Sequence, residues 1–245
     1  VTLLDSREQV LNSSKAGAQS AGVDVQHGMS ILNAKGSKGV YSIDLAEKSS
    51  VGWSAKNQMA CDLLLVSGGW SPVVNLLSHR GLKPVWDSVN ACFIAPEHHE
   101  PIAMAGSAAG IWDHAECVQS GEQAAAHAVA HLHGQRTHTP NQSRGWETPI
   151  EGLYEISASG HQHKSFVDPQ HDVTADDIRL AHQEGFVSVE HLKRYTTLGM
   201  ATDQGKMGNV IGLALMAEAL GKEIPEVGTT TFRPPYTPIS IGALK

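Results

Sequence analysis

The sequence has 245 residues, a formal charge of −7 and three cysteines, enough chain for one large or two modest domains with a substantial core. A mildly acidic chain without basic blocks excludes an electrostatic attraction to nucleic acid or to an anionic membrane surface. Its longest apolar runs, such as Leu63-Leu64-Leu65-Val66, are too short to span a bilayer, and Cys61, Cys92 and Cys117 have neither disulfide-framework nor metal spacing. Neither a signal peptide nor an oxidising compartment is expected; the expected setting is reduced and cytoplasmic.

In chain order, Val1 to Leu4 is a β-branched and apolar run closed by Asp5, and Arg7 to Ala21 is predicted to form a helix ending at Gly22. With no initiator Met before Val1, the expectation is a chain cut in mid-domain. Val23 to Val25 and Met29 to Leu32 read as short strands, and Val40 to Leu45 alternates as a half-buried strand does. Lys35-Gly36-Ser37-Lys38-Gly39 between them has hairpin-turn chemistry. Cys61 to Val66 is predicted to be a strand buried on both faces, stopping at Ser67-Gly68-Gly69-Trp70-Ser71-Pro72. Strand, helix, strand and then a meander predict an α/β fold with a parallel sheet. Asp5, at a strand end, has two readings: a ribose-binding acid or a solvated aspartate. The Gly-x-Gly-x-x-Gly that the first reading needs, about 20 residues earlier, is absent.

The stretch Ile102 to Gly110 is predicted as a buried strand turning sharply on Gly106 and Gly110 into an alanine-rich helix over Glu116 to Leu132. Such a turn aims orphan N–H groups and a helix dipole at a phosphate or pyrophosphate, and equally allows close strand–helix packing. His127 and His131, one helical turn apart, have the spacing of a metal pair or of a solvated helix face, with His133, His98 and His99 nearby. Gln135 to Gly160 lacks periodicity and reads as a connector. Thr174 with Asp177 is close to a capping box, and helices are predicted over Ala175 to Gln183, Ser188 to Arg194 and Gly208 to Leu220, the last stopped by Gly221. Gly228 to Pro238 carries three prolines and suits an extended tail. No Ser/His/Asp set or nucleophile elbow appears.

At Lys193-Arg194-Tyr195-Thr196-Thr197, Thr202-Asp203-Gln204-Gly205-Lys206 and Gly228-Thr229-Thr230-Thr231-Phe232-Arg233-Pro234-Pro235-Tyr236-Thr237-Pro238 the sequence resembles the alpha subunits of heterotetrameric sarcosine oxidases. Ser67 to Val74, Ala105-Gly106-Ser107 and Phe166-Val167-Asp168 agree in order, so the resemblance covers essentially the whole chain. It implies an incomplete Rossmann-like fold of the two-dinucleotide-domain flavoprotein kind, followed by a small, mainly helical domain. The implied domains are 1–134, truncated and dinucleotide-binding; 135–163, a linker; 164–222, helical; and 223–245, an extended tail towards an absent folate-binding domain.

The resemblance also implies cofactors and partners. NAD would be touched at Gly106, Ser107, Trp112 and His114. Lys193, Arg194, Gln204 and Lys206 would contribute to an FMN site at the boundary with a beta subunit, cations suiting the flavin phosphate; surface salt-bridging and helix C-capping are the other reading of these lysines. Tetrahydrofolate would bind in the absent C-terminal domain. No cysteine stands near Phe166 and Asp168, so no iron–sulfur cluster is expected there. The implied partners are the beta, gamma and delta subunits, with neither nucleic acid nor membrane. The implied reaction is oxidation of sarcosine to glycine on the beta subunit, with peroxide and methylene-tetrahydrofolate as products. The fragment alone is expected to be inactive. The alternatives are an alpha-type subunit of a related secondary-amine oxidase or dehydrogenase, and a non-catalytic assembly module.

Overall fold

The computed structural model describes residues 1–8, 12–97, 102–135, 149–158, 164–232, 237 and 239–244, so His98, His99 and much of the Pro-rich tail motif lie outside the described residues. The fold is α/β, and the chain divides into two compact units: Val1–Gly68 with Leu153–Lys164, and Gly69–Gly152 with Ser165–Lys245.

In the first unit, β1 (Thr2–Asp5), α1 (Asn12–Ser20) and β2 (Asp24–His27) form a βαβ unit whose strands pair in parallel, Leu3 opposite Val25. That is the parallel pairing that the chain order predicts, and it agrees with the Rossmann-like fold that the resemblance implies. A three-stranded antiparallel meander follows, β3 (Met29–Gly36), β4 (Val40–Ser49) and β5 (Gly52–Ala60), with the 35–39 segment turning as its residues predict. Met29, Ile43 and Leu45 point to one core face, while Leu32 and Ala46 on the other pack with Ala158, brought back by residues 153–158. That return places Ile156 and Ala158, inside the expected connector, in a core.

The structure corrects two strands. β5 was not foreseen, because GWSAKNQMA is a mostly exposed edge strand without apolar alternation. Cys61 to Val66, expected as a doubly buried strand, is irregular, with Leu63, Leu65 and Val66 exposed by 69%, 82% and 79%. A continuous apolar run states that burial is wanted but supplies no pairing partner, and β5 already takes the third place in that sheet.

The second unit starts with α2 (Asn75–His79) and the hairpin β6 (Val85–Asp87) with β7 (Cys92–Ile94). A 3-10 turn over Gly106–Ala109 leads to α3 (His114–Leu132), and Ile102 to Ala105 before it forms no strand among the described residues. The pair β8 (Phe166–Asp168) and β9 (Val173–Thr174) is followed by α4 (Ala175–Gln183), α5 (Val189–Thr196), α6 (Asn209–Leu220) and a short α7 (Ile224–Val227) inside the expected tail. The capping box forms at α4: Asp177 N–H donates to Thr174 Oγ1, and Thr174 N–H donates to the Asp177 carboxylate. Gly221, at φ +62°, closes α6. Ile178, Leu192, Leu213 and Met216 form one apolar core with Phe93 of the hairpin.

No helix among the described residues is long and apolar enough to cross a membrane. All three cysteines are free. Burial, with the Asp87 charge beside it, pushes the Cys92 thiol up to about 12. At pH 8 about 1 in 10⁴ of such thiols is thiolate, the reactive form. Alkylation of the folded protein at pH 8 is therefore expected to modify Cys61 and Cys117, which are partly exposed, and to spare Cys92 until urea unfolds the chain. Peptide mass mapping of Cys92 labelled at the same rate in the folded protein would contradict this.

Candidate functional site

The eight residues expected to meet cofactors fall at two places in the second unit, the Gly106 turn with the entrance of α3, and the stretch from the last turn of α5 to the start of α6. The turn is built by backbone geometry. Gly106 sits at φ +59°, and its N–H donates to the buried Ser120 hydroxyl of α3 at 3.2 Å. Gly110 is left-handed at φ +82°, its N–H donating to the Ser107 carbonyl, and Ile111 N–H donates to the Gly106 carbonyl. A Cβ on Gly106 would meet Cys117 at ordinary contact distance, so conformation rather than space requires glycine.

The helix entrance differs from the sequence expectation. Asp113 is the N-cap of α3, its carboxylate accepting Glu116 N–H at 3.0 Å, and Glu116 adds a second acid to the first turn. The place where a pyrophosphate would meet the helix is thus taken by the chain's own carboxylate. Ser107 and His114 are exposed. The Trp112 ring lies 6.2 Å from that of Trp70, tilted by 39°, which brings Trp70 against the turn. The Trp112 indole Nε1 is buried without a hydrogen-bond partner.

The second place is organised by a residue that the sequence reading used only as a landmark. Asp168, 3% exposed at the end of β8, accepts N–H groups from Gln170 at 3.0 Å and His171 at 3.3 Å. Its other oxygen accepts Gly199 N–H at 3.0 Å, 31 residues away. The His171 ring Nδ1 lies 3.0 Å from the carbonyl of Thr197, itself left-handed at φ +65°. These bonds fix the start of the loop from α5 to α6. Its end is fixed by Asn209, whose side-chain oxygen sits where a Cβ on Gly199 or Gly205 would stand.

Within this frame the four expected flavin contacts behave differently. Arg194 and Lys206 are exposed. Gln204, at φ +54°, folds back to donate from Nε2 to the Ala201 carbonyl at 3.0 Å. Lys193 is only 8% exposed and donates from Nζ to the Thr231 carbonyl at 3.3 Å. Sequence reasoning missed the roles of Asp168 and Asn209; an Asp before Pro169-Gln170, favouring a local turn onto its own carboxylate, is the one local signal.

Elsewhere, Asp5 is held by Arg7, which donates from its backbone N–H, Nε and Nη2 at 3.0, 3.0 and 2.8 Å. Burial works to raise the Asp5 carboxyl, but the Arg7 hydrogen bonds outweigh it and keep it below the ordinary aspartate value. Among the described residues no group of three or more His, Cys, Asp or Glu side chains is arranged to hold a metal ion, His127 and His131 included.

Residues 162–245 match the sarcosine oxidase A3 domain. Over 218 residues the chain is 40% identical to sarcosine oxidase subunit alpha of Rhizobium meliloti (strain 1021), covering 87% of this chain and 21% of that protein. It is 33% identical over 260 residues to sarcosine oxidase subunit alpha of Corynebacterium sp. (strain P-1), covering 100% of this chain and 26% of that one. The chain thus spans about a quarter or less of the length of these relatives. Among solved structures, L-proline dehydrogenase from P. horikoshii superposes with a TM-score of 0.68 at 16% identity, covering 100% of this chain and 50% of that chain. This last likeness shows a shared fold.

Proposed function

This chain is related over most of its sequence to sarcosine oxidase alpha subunits and carries the sarcosine oxidase A3 domain at residues 162–245, and from that premise we propose that it serves as the cofactor-wall part of such a subunit. In this reading it contributes to NAD binding and to the FMN and beta-subunit boundary of a complex with beta, gamma and delta subunits. That complex converts sarcosine to glycine with peroxide and methylene-tetrahydrofolate, the folate being held by a part of the subunit beyond these residues. Bond breaking belongs to a neighbouring subunit. The setting is the cytoplasm.

The observation that carries the flavin half is the ordered loop between α5 and α6. Asp168 and the Asn209 side chain fix its two ends, while Arg194 and Lys206 stay on the surface. Exposed cations on an ordered frame fit a flavin phosphate, at little cost in ordering on binding. FMN, when bound, accepts and passes on electrons; this chain's part is to hold its phosphate and exclude water. Lys193, engaged with the tail carbonyl, and Gln204, folded onto its own loop, support that frame from behind.

For NAD the acids at the α3 entrance argue against pyrophosphate at that helix end. Contact is assigned to the exposed Ser107 hydroxyl, the Trp112 ring and His114, with Gly106 shaping the turn. The test is the alpha-type subunit assembled with its partners. Sarcosine-dependent peroxide is expected, with an Arg194→Ala/Lys206→Ala variant losing at least half of its bound FMN and Trp112→Ala weakening NAD in equilibrium dialysis about tenfold, the loss of one good contact. Full FMN occupancy in the double variant would remove the flavin assignment. Faster turnover of dimethylglycine or proline would move the chain to a related secondary-amine enzyme.

A further inference from the structure

Residues 228–232 follow α7 without regular structure, yet three hydrogen bonds tie them to the helices. Thr231 is held at both main-chain groups: its N–H donates to Glu190 Oε1 at 2.9 Å, and its carbonyl accepts from Lys193 Nζ at 3.3 Å. Glu190 and Lys193 are three apart on α5, so their side chains rise from one face of that helix. One residue earlier, the Thr230 hydroxyl, 8% exposed, accepts from Asn209 Nδ2 at 3.0 Å. Asn209 is the first residue of α6 and is 6% exposed, locked against Gly199 and Gly205.

A carboxylate on an N–H and an ammonium on the adjoining carbonyl form the two charge-assisted bonds that a neighbouring strand would otherwise supply as neutral ones. Main-chain capture of this kind fixes the position and direction of the peptide while leaving the Thr231 side chain undemanding. The buried Thr230–Asn209 bond adds the register, because a shift by one residue would leave Asn209 Nδ2 facing a group that has not been desolvated to receive it. Lys193 buries its stem to reach the carbonyl, which a merely solvated lysine at a helix end does not do.

We infer that residues 228–232 are a strap docked on α5 and α6, and that Glu190, Lys193 and Asn209 are positioning residues that fix where the chain leaves the helical part. The inference does not depend on the NAD or FMN assignment. It predicts a fixed position and direction for the main chain from Gly228 to Phe232.

The test is amide hydrogen exchange by mass spectrometry on the intact protein. Glu190→Ala removes the acceptor for Thr231 N–H and is expected to speed exchange in residues 228–232 about tenfold or more, with α4 and α6 unchanged. Glu190→Gln keeps an oxygen acceptor and is expected to restore most of the protection. Thr230→Val, which keeps the shape and loses the hydroxyl, is expected to loosen the same peptide. Unchanged exchange in 228–232 for Glu190→Ala, or an equal loss of protection throughout α4 and α6, would overturn the strap.

Discussion

Asp168→Ala is expected to destabilise the second unit by about 3–5 kcal/mol, among the largest single effects available in this chain. The carboxylate accepts three N–H groups, from Gln170, His171 and Gly199, and it is 3% exposed. Truncation leaves the Gly199 N–H without an acceptor where water reaches poorly, at about 1–3 kcal/mol, and takes the part-buried bonds from Gln170 and His171 at about 0.5–1.5 kcal/mol each. The Gly199 bond matters most, because it is buried and joins β8 to a loop 31 residues later. Asp168→Asn keeps one acceptor oxygen and is expected to lose about half as much. Urea unfolding followed by circular dichroism, comparing midpoint and slope, checks both. A loss below about 1 kcal/mol for the alanine variant would mean that the loop is held by its glycines instead. If the proposed flavin contact holds, the same variant is expected to lower flavin occupancy in the assembled complex, since Arg194 precedes and Lys206 lies within the loop that Asp168 fixes.

What the residues disclose by themselves are local features. The Thr174–Asp177 box, the Gly221 stop and the 35–39 turn are each written within a few residues, the parallel β1–α1–β2 unit within one continuous stretch, and each formed. Cys61 to Val66 failed because composition reports an apolar preference and not a partner. β5 escaped for the opposite reason: an edge strand exposed on nearly every residue has no apolar period to read. The α3 entrance was legible in part. The turn glycines are plain in the sequence, whereas the Asp113 cap, which competes with a pyrophosphate for the same amides, depends on where the helix starts. The frame of the second site was hidden because its bonds are long-range, from Asp168 to Gly199, Glu190 to Thr231 and Asn209 to Thr230. Such pairs leave no spacing in the sequence. They surfaced only as motif density, which resemblance registered without saying why.

Three glycines of the same region separate space from backbone strain. Gly208 has ordinary angles, φ −93° and ψ −24°, that any residue adopts. A Cβ there would lie 2.5 Å from the Val167 carbonyl oxygen, which is backbone of β8 and has no rotamer with which to give way. Gly208→Ala is therefore expected to cost about 3 kcal/mol or more by forcing α6 away from β8. Gly212→Ala meets only the Leu198 Cδ2 methyl, also at 2.5 Å but at the end of a flexible side chain. There the alanine helix propensity, about 1 kcal/mol, offsets much of the repacking. Gly221→Ala has open space around its Cβ and pays only for φ +62°, about 1 kcal/mol. The expected order of destabilisation is Gly208, then Gly221, then Gly212, read from urea midpoints of the three variants. Because Val167 precedes Asp168 in the chain, displacing its carbonyl also disturbs the carboxylate hub. The Gly208→Ala/Asp168→Ala double variant is accordingly expected to lose at least 1 kcal/mol less than the sum of the single losses, the coupling range of residues in one network. Strict additivity would show that the β8–α6 contact and the Asp168 hub are independent supports of the loop.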